Sequence, residues 1–580
     1  MKSLLYLIIS LCSLQSFSQG IKVKDKFIVD KKGNTVLLRG MGLGGWMLQE
    51  PYMMQLSGIA ATQQEIKNKI IDLIGTKNTE AFYNEWLLNH CTKTDIDSLA
   101  SWGFNSVRLP MHYNLYTLPI EKEPIKGKHT WLRKGFALTD SLLKWCKANK
   151  MYLILDLHAA PGGQGNDVAI ADRDSTKPSL WQNELNQQKT IALWKQLAKR
   201  YVNEEWIGGY DIINEPNYGF ENSNDKNGCA EKLNVPLRKF YVEATAAIRK
   251  IDKKHIIFIE GNCWGNNYGG IFPLWDDQLV VSFHKYWNYT NQGSIQNFLD
   301  LREKYNVPIW MGETGENSNA WFTNAIELFE KNNIGWTMWP LKKAGINNPL
   351  QVIPNAGFKN ILSYWRGTSP KPSPEGALKG LMQLSKDINI KNNGYQKDII
   401  DAMFRQINST STIPYKHHST ESFKPIFAVD YDMGRSSVAY HDKDSANYWV
   451  SNTIRTVWNE GRLYRNDGVD IEACSDSITN GFNIGWIQDG EWLQYTINSN
   501  GAIFDLDIRY AAKDSSGQLQ LITNNETAAK VTLPVTNGNQ KWVTTTIKNI
   551  KLANGVNLIK VFAKSGGYNL NYFHFIKRKS

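Results

Sequence analysis

Residues 208–217 have the sequence Gly-Gly-Tyr-Asp-Ile-Ile-Asn-Glu-Pro-Asn, a short, mostly apolar run that stops abruptly. Tyr210 to Ile213 are mostly of the types that a buried parallel strand uses. Pro216 cannot donate a ladder hydrogen bond and favours an extended backbone at Glu215, so we expect the strand to end with a carboxylate at its C-terminal tip. Active sites of parallel α/β barrels lie at such tips. Taken alone, this stretch is also compatible with an acidic residue in a solvated turn.

A second stretch repeats the pattern. Residues 308–316, Pro-Ile-Trp-Met-Gly-Glu-Thr-Gly-Glu, form an apolar run that ends in Glu313. Glu215 and Glu313 are 98 positions apart, or three units at about 30–35 residues per strand and helix, which predicts strands four and seven of a barrel. These strands lie nearly opposite each other, so the two Glu side chains can converge over the mouth of the barrel. Such a pair is what glycoside hydrolysis needs: one protonated and one ionised carboxyl group, about 5–5.5 Å apart when the configuration is retained.

Further apolar segments supply the remaining strands. They are residues 37–41, 105–109, 152–158, 256–261, 279–287 and 335–340, and segments with helical apolar spacing lie between them. Eight strands that alternate with helices predict an α/β fold, a (β/α)₈ TIM barrel. After about residue 426 the period changes to two and no helical spacing remains, which predicts a C-terminal β-sandwich (jelly-roll) domain.

Composition sets the broad class. A chain of 580 residues should form two or three domains. Aromatic residues make up 12%, including 21 Trp, which fits either a large core or stacking on sugar rings. The net charge of +11 comes from scattered Lys residues without a basic block, so we expect a solvated surface and no nucleic-acid partner. An acidic polysaccharide partner is left open.

The first 18 residues are typical of a secretory signal peptide, with Lys2, an apolar run over 4–14 and small residues before a cleavage point after Ser18. No later stretch is long and apolar enough to span a membrane. We therefore expect a secreted chain that is periplasmic, cell-surface or extracellular. Five cysteines remain, without metal-binding spacing, and buried thiols are the first expectation, with one disulfide left open.

Several polar residues and one Trp lie at the predicted strand tips. Through these residues the chain resembles glycoside hydrolase family 5, the cellulase-like group of clan A. Ile213-Asn214-Glu215-Pro216 is similar to the acid/base signature of that family, and Trp310-Met311-Gly312-Glu313 to its nucleophile strand. The similarity extends over roughly residues 20–390. It implies that Glu215 is the acid/base and Glu313 the nucleophile, and it assigns substrate contacts to Arg108, His158, Asn214, His284, Tyr286 and Trp339.

The same resemblance assigns individual roles. Arg108 and Tyr286 would hydrogen-bond the nucleophile and keep it ionised, Asn214 would bind the sugar 2-hydroxyl, and Trp339 would form the floor of the −1 subsite. His158 and His284 would line the site. Residues 43–51 are similar to the N-terminal loop of exo-β-1,3-glucanases, in which the Glu at the position of Glu50 helps to close the non-reducing end. The linkage that is cut stays open.

The sandwich resembles a family 6 carbohydrate-binding module through residues 464–471, 481–486, 490–492 and 568–571. Phe482 and Trp542 would stack on a sugar, and Asn569 would hydrogen-bond it. The usual Tyr is replaced by Phe482, which lacks the hydroxyl. Members often bind a structural calcium through Glu residues, but Phe427 and Val429 stand at those positions here, and the predicted chemistry requires no cofactor. The alternative is a stabilising spacer without a functional cleft.

The predicted domains are a signal peptide at 1–18, a catalytic barrel with a helical extension at 19–413, a linker at 414–426 and the module at 427–580. The leading hypothesis is a secreted retaining hydrolase of β-1,3- or β-1,4-linked glucan, with a β-glucan polysaccharide or oligosaccharide as partner. A non-catalytic glycan-binding protein and a β-glucan transglycosylase are the alternatives.

Overall fold

The structure, a computed structural model, describes residues 20–222, 224–422, 424–444, 446 and 458–578. The predicted signal peptide lies outside the described residues. Within them, every helix is too short or too polar to cross a bilayer.

A closed barrel of eight parallel strands forms the N-terminal two thirds of the chain, as predicted. An antiparallel hairpin of β1 (Ile21–Lys24) and β2 (Phe27–Asp30) precedes it. Ile21 and Ile28 of the hairpin pack with Ile154, Phe258 and Trp310 from inside the barrel, so the hairpin closes its N-terminal end. The barrel strands are β3 (Arg39–Gly42), β4 (Ser106–His112), β5 (Tyr152–Ala159), β6 (Ile207–Asp211), β7 (Ile257–Glu260), β8 (Leu279–Lys285), β9 (Ile309–Gly315) and β10 (Gly335–Trp339).

Most helices surround the barrel and bury their apolar faces against it, whereas those at 63–90, 356–365 and 374–387 share a separate apolar core. Leu193, Leu197, Phe240 and Tyr241 contribute to one continuous core with the strands. The helices are α1 (Gln63–His90), α2 (Lys93–Trp102), α3 (Arg133–Ala148), α4 (Val168–Ala171), α5 (Glu184–Tyr201), α6 (Val235–Arg249), α7 (Asn262–Gly265), α8 (Gln296–Tyr305), α9 (Asn319–Lys331), α10 (Ala356–Trp365), α11 (Pro374–Asp387) and α12 (Lys397–Phe404).

The C-terminal part is a sandwich of two mostly antiparallel sheets around a separate core. A small sheet of β11 (Lys342–Lys343), β12 (Leu350–Gln351) and β13 (Gly394–Tyr395) lies between the barrel and this domain in the chain. The sandwich strands are β14 (His418–Ser419), β15 (Ile426–Phe427), β16 (Tyr440–His441), β17 (Ile471–Ala473), β18 (Phe482–Ile484), β19 (Trp492–Asn500), β20 (Ile503–Ala511), β21 (Gly517–Thr523), β22 (Glu526–Leu533), β23 (Val543–Lys551), β24 (Asn554–Ser565) and β25 (Asn569–Lys577).

The segment predicted as a linker is instead built into the sandwich. β14 pairs with β19, and β15 pairs with β25, so residues between 414 and 426 contribute to both sheets. The polar composition of this segment indicated a free tether, but short edge strands are often polar because one face meets water. As far as the structure describes residues 414–426, β14 and β15 thus tie this stretch to the sandwich.

Candidate active site

Glu215 and Glu313 face each other at the C-terminal end of the barrel. Glu313 lies within β9, and Glu215 lies four residues beyond the end of β6. One oxygen of each carboxyl group lies within 4.8 Å of the other, and the side chain of His284 lies within the same distance of both. Both residues are buried, with exposures of 6% and 5%. Their separation is close to the about 5–5.5 Å of carboxyl pairs that retain configuration.

Two donors hold the Glu313 carboxylate. Arg108 of β4 donates from one terminal nitrogen to Oε2 at 2.8 Å, and the Tyr286 hydroxyl donates to Oε1 at 2.8 Å. Arg108 is fully buried, so this bond is not screened by water. Charge-assisted hydrogen bonds of this kind stabilise a negative charge on the acceptor, which is the state that a nucleophile needs.

Arg108 also binds three acids that the sequence-based prediction missed. Its guanidinium lies 2.9 Å from both Asp211 and Glu260 and 3.3 Å from Asp156. Burial, and then the charge of Glu260, raise the pKa of Asp211 well above its usual value. The sequence did contain a signal for these three acids, because each lies within or at the end of an apolar strand. Buried charges are almost always paired, so an acid at such a position indicates a buried cation nearby.

Glu215 is held by its backbone and its side chain. Its amide donates to Glu260 Oε2 at 2.7 Å, and its Oε1 lies 2.6 Å from His284 Nδ1. The backbone has φ = 45°, a left-handed conformation instead of the extended one predicted from Pro216. The bond to Glu260 explains the difference, because strained backbone persists where surrounding contacts determine it, and such residues are frequent at active sites.

The charges around Glu215 favour a shared proton. Burial raises the pKa of Glu215, and the charge of Glu313 adds to this effect against the pull of His284. Although burial opposes it, Glu260 and Glu215 raise the pKa of His284 well above its usual value. His284 and Arg108 in turn lower the pKa of Glu260 against the effect of burial. Both raised pKa values favour a proton on this hydrogen-bonded pair of Glu215 and His284.

Asn214 and His158 lie side by side next to this pair. Asn214 Oδ1 accepts from Arg108 at 2.8 Å, and its Nδ2 lies 3.3 Å from His158 Nε2. His158 Nδ1 is 2.7 Å from Asp156 Oδ2, which orients the ring. The ring of His158 stacks on Trp339 with centroids 5.1 Å apart and an angle of 8°. The arrangement directs the Asn214 amide towards the same space as the two Glu residues.

Glu50 and Tyr52 close one side of the cleft. Glu50 is buried, 3.9 Å from His158 Nε2, and burial together with the charges of Glu313 and Glu316 raises its pKa well above the usual value. The Tyr52 hydroxyl accepts from Trp339 Nε1 at 3.0 Å. The sequence-based prediction also missed the adjacent ion pair between Lys343 and Glu316, 2.5 Å apart. Lys343 lies over the ring of Tyr52, so this pair supports the same wall.

A disulfide joins two loops on the acid/base side. Cys229 follows β6, Cys263 follows β7, and their sulfurs are bonded, which resolves the alternative left open by the sequence. The amide of the next residue, Trp264, donates to the carbonyl of Pro216 at 3.1 Å. The disulfide therefore fixes a loop directly beside the backbone of Glu215.

The donor set fits a proton better than a metal ion. Among the described residues, Glu215, His284 and Glu313 are the single group that offers three His, Cys, Asp or Glu ligands this close together. Glu215 Oε1 and His284 Nδ1 are 2.6 Å apart. Two ligands of one tetrahedral ion lie about 3.3 Å apart, given bond lengths of about 2.0–2.1 Å. The pair has hydrogen-bond spacing instead.

Comparison with known families agrees with this geometry. The model of cellulases (glycosyl hydrolase family 5) matches residues 61–345, and the model of carbohydrate binding module family 6 matches residues 462–577. Residues 61–345 form a family 5 glycoside hydrolase domain, and residues 462–577 form a family 6 module. Both resemblances predicted from sequence motifs are confirmed.

Relatives of this family 5 enzyme differ in their named substrates. A β-xylosidase of Phanerodontia chrysosporium is 27% identical over 378 residues, which cover 59% of this chain and 74% of the relative. Endoglucanase C of Acetivibrio thermocellus is 24% identical over 326 residues, 46% of this chain and 88% of the relative. A probable glucan 1,3-β-glucosidase A of Aspergillus niger is 25% identical over 228 residues, 38% of this chain and 49% of the relative.

Two of the three predicted sugar-binding residues of the family 6 module, Asn569 and Trp542, are linked through Gln540 and Glu472. Glu472 Oε1 accepts from Asn569 at 2.6 Å and from Gln540 at 2.8 Å. Trp542 donates to Gln540 at 3.2 Å, and Phe482 packs against Tyr464 with centroids 4.9 Å apart. Phe482 and Trp542 are both half-buried, so each presents part of its ring to solvent.

The module was also predicted to lack the usual calcium ligands. Phe427 packs against Tyr572, and Val429 is buried in the sandwich core, so neither position offers an oxygen side chain. Across the described residues of the sandwich, no three His, Cys, Asp or Glu side chains come close enough to share an ion. These residues do not fit the ligand set that the family resemblance implies.

We expect the buried Arg108 to be essential for stability. Arg108→Met leaves Asp156, Asp211, Glu260 and Glu313 without their cation, which should lower the free energy of unfolding by about 3–5 kcal/mol. Urea denaturation measures this change. The control is Arg39→Met, which breaks the partly exposed pair with Glu330 and should cost only about 0.2–1 kcal/mol. Equal losses in the two variants would contradict the electrostatic role given to Arg108.

Proposed function

We propose that this family 5 enzyme is a secreted β-glucan hydrolase that retains the anomeric configuration by double displacement. The observation that carries the proposal is the pair of carboxyl groups within 4.8 Å of each other, one with two donors and one within hydrogen-bond distance of His284. The predicted signal peptide supports export. The module would hold the enzyme on polysaccharide through Phe482, Trp542 and Asn569.

In the first step, a Glu313 oxygen attacks the anomeric carbon and forms a glycosyl ester. The bond between that carbon and the glycosidic oxygen breaks, and Glu215 gives its proton to the departing oxygen. Arg108 and Tyr286 hold Glu313 in place, and Asn214 is positioned to donate its amide hydrogen to the sugar 2-hydroxyl. Trp339 offers an apolar surface below the sugar.

In the second step, the ester has removed the negative charge of Glu313. The pKa of Glu215 falls as a result, so its carboxylate becomes a base that takes a proton from water. The water oxygen attacks the anomeric carbon from the side that the leaving group vacated, and Glu313 departs. Two inversions restore the original configuration.

β-Glucan is the substrate class favoured by several observations. Residues 43–51 resemble the loop of exo-β-1,3-glucanases, and Glu50 from that loop contacts the site near His158. Relatives named endoglucanase and glucan 1,3-β-glucosidase support glucose polymers, whereas the relative named β-xylosidase supports a xylose-linked substrate as the second candidate.

A product panel tests the proposal. Full-length protein is incubated with laminarin, lichenan, cellulose, xylan and mannan, and the products are followed by proton NMR from the first minutes. We expect β-configured reducing ends to be formed first from laminarin or lichenan, before mutarotation. An α-configured first product would contradict double displacement, and release from xylan alone would favour the second candidate.

The same panel separates the two other functions. A non-catalytic glycan-binding protein would release no sugar from any polymer. A transglycosylase would form products longer than the oligosaccharide supplied as acceptor, because the same glycosyl ester would react with a sugar instead of water. Products that stay shorter than the substrate at every acceptor concentration support hydrolysis.

A further inference from the structure

The loop that follows the nucleophile strand is held by the sandwich. β9 ends at Gly315, and Glu316 is followed by Asn317, Ser318 and helix α9. Asn466 of the sandwich donates from Nδ2 to the carbonyl of Asn317 at 2.9 Å and to Asn319 Oδ1 at 3.0 Å. The amide of Asn319 donates back to the carbonyl of Asn466 at 2.9 Å. All three Asn residues are buried.

The sandwich completes the N-terminus of a barrel helix. The first amides of a helix have no acceptor within that helix. Ser318 caps α9 by accepting from Trp321 at 3.1 Å, and its hydroxyl donates to the carbonyl of Ala446. The carbonyl of Asn466 accepts from Asn319, the first residue of α9. Two acceptors at the start of this barrel helix therefore come from the other domain.

Asn466 is itself held by contacts from both domains. Its amide donates to Asp398 Oδ2 of α12 at 2.9 Å, and the same oxygen accepts from Asn319 Nδ2 at 2.7 Å. The neighbouring Arg465 is buried, donates to the carbonyl of Tyr431 at 2.8 Å and lies over the Tyr431 ring at 4.0 Å. The contact between the domains is thus buried and polar, and it is anchored on both sides.

The held loop leads directly into the wall of the cleft. The Glu316 carboxylate pairs with Lys343, and its carbonyl accepts from Trp287 Nε1 at 3.1 Å. Lys343 lies over Tyr52, which accepts a hydrogen bond from Trp339. A displacement of residues 317–319 would therefore be transmitted to the wall of the cleft that contains Tyr52.

We propose that Asn466 is a positioning residue for the active site, and that the sandwich is a structural part of the catalytic unit in addition to any role in binding sugar. This inference rests on the proposed function only in taking Glu215 and Glu313 as the active site that Asn466 helps to position. This arrangement differs from a module on a flexible linker. With a flexible linker, only contacts within the barrel domain would hold the loop after β9. Loss of Asn466 should then alter catalysis on substrates too small to reach the sandwich.

The test uses Asn466→Ala in the full chain, with Asn557→Ala as the matched control. Asn557 is equally buried, and its side chain donates to the carbonyl of Ala553 at 2.9 Å, within the sandwich. On the shortest soluble oligosaccharide that the wild type cleaves, we expect Asn466→Ala to lower kcat/KM by about 10- to 100-fold, as misplaced groups do. The control should stay within about twofold, because Asn557 lies in β24, in another part of the fold.

Hydrogen–deuterium exchange of residues 316–322 is the second measurement, and it requires no substrate. Asn466→Ala should speed exchange in this segment, whereas Asn557→Ala should leave it unchanged. Exchange and kcat/KM that both stay at wild-type levels in Asn466→Ala would overturn the inference while leaving the proposed function intact. If the wild type released no sugar, the proposed function would fail, and exchange alone would decide the inference.

A double-mutant cycle with Asn319→Ala tests whether Asn466 acts on the active site through its contact with Asn319. Each substitution removes the hydrogen bond between Asn466 Nδ2 and Asn319 Oδ1, so the loss in the double variant should be smaller than the product of the two single losses. Protection of residues 316–322 should follow the same pattern. Losses that multiply in the double variant would show that the two residues act independently and would exclude positioning through this contact.

Discussion

Glu313→Ala is expected to lower kcat by roughly 10⁴- to 10⁶-fold, because no other group can form the glycosyl ester. The fold should persist, since Arg108 keeps Asp211, Glu260 and Asn214 as partners. Steady-state kinetics on the best substrate of the product panel measure the loss. Glu303→Ala, which removes an exposed partner of Lys26, is the control and should keep wild-type turnover.

Added azide sharpens this test. The small anion can occupy the space left by the Glu313 side chain and attack the anomeric carbon from the same face. A single displacement follows, and the expected product is a glycosyl azide of inverted, α configuration. NMR of the product distinguishes the two configurations. Near wild-type turnover in Glu313→Ala, or a β-azide from it, would contradict the role given to Glu313.

Glu215→Ala should have the second largest effect, and this effect should depend on the leaving group. A sugar leaving group needs the proton of Glu215, so its loss should lower the rate of glycosylation by about 10²- to 10⁴-fold. A dinitrophenyl glycoside should lose much less in that step, because its leaving group is stable without a proton. Azide should now yield a product of retained, β configuration, since Glu313 still forms the ester.

The pH profile gives an independent measure. Because burial raises the pKa of Glu215, the wild type should keep its proton donor into a higher pH range, and kcat/KM should fall as the pH rises through that pKa. Glu215→Ala should lack this alkaline limb. Glu221→Ala, at an exposed position of the loop after β6, is the control and should keep it. An unchanged alkaline limb in Glu215→Ala would assign the proton to another group.

Much of this molecule follows from local sequence patterns. Buried parallel strands require continuous apolar runs, so the eight strands are visible in the sequence, and the polar residue at each tip is visible with them. The sequence itself therefore reveals a set of polar residues at strand tips that includes Arg108, Glu215, His284 and Glu313. The change from helical to alternating periodicity likewise predicts the sandwich, because periodicity reflects which side of each element is buried.

Other features depend on pairing between distant positions, and local patterns do not encode it. Arg108 gathers Asp156, Asp211 and Glu260 from three strands, and Glu260 imposes a left-handed backbone on Glu215 against the preference set by Pro216. The sequence left open whether any disulfide forms, and the structure joins Cys229 to Cys263. The supposed linker joined both sheets, and Asn466 reached a barrel helix about 150 positions earlier. These contacts exist because folding brings separate hydrogen-bonding groups together, and only the three-dimensional arrangement selects their partners.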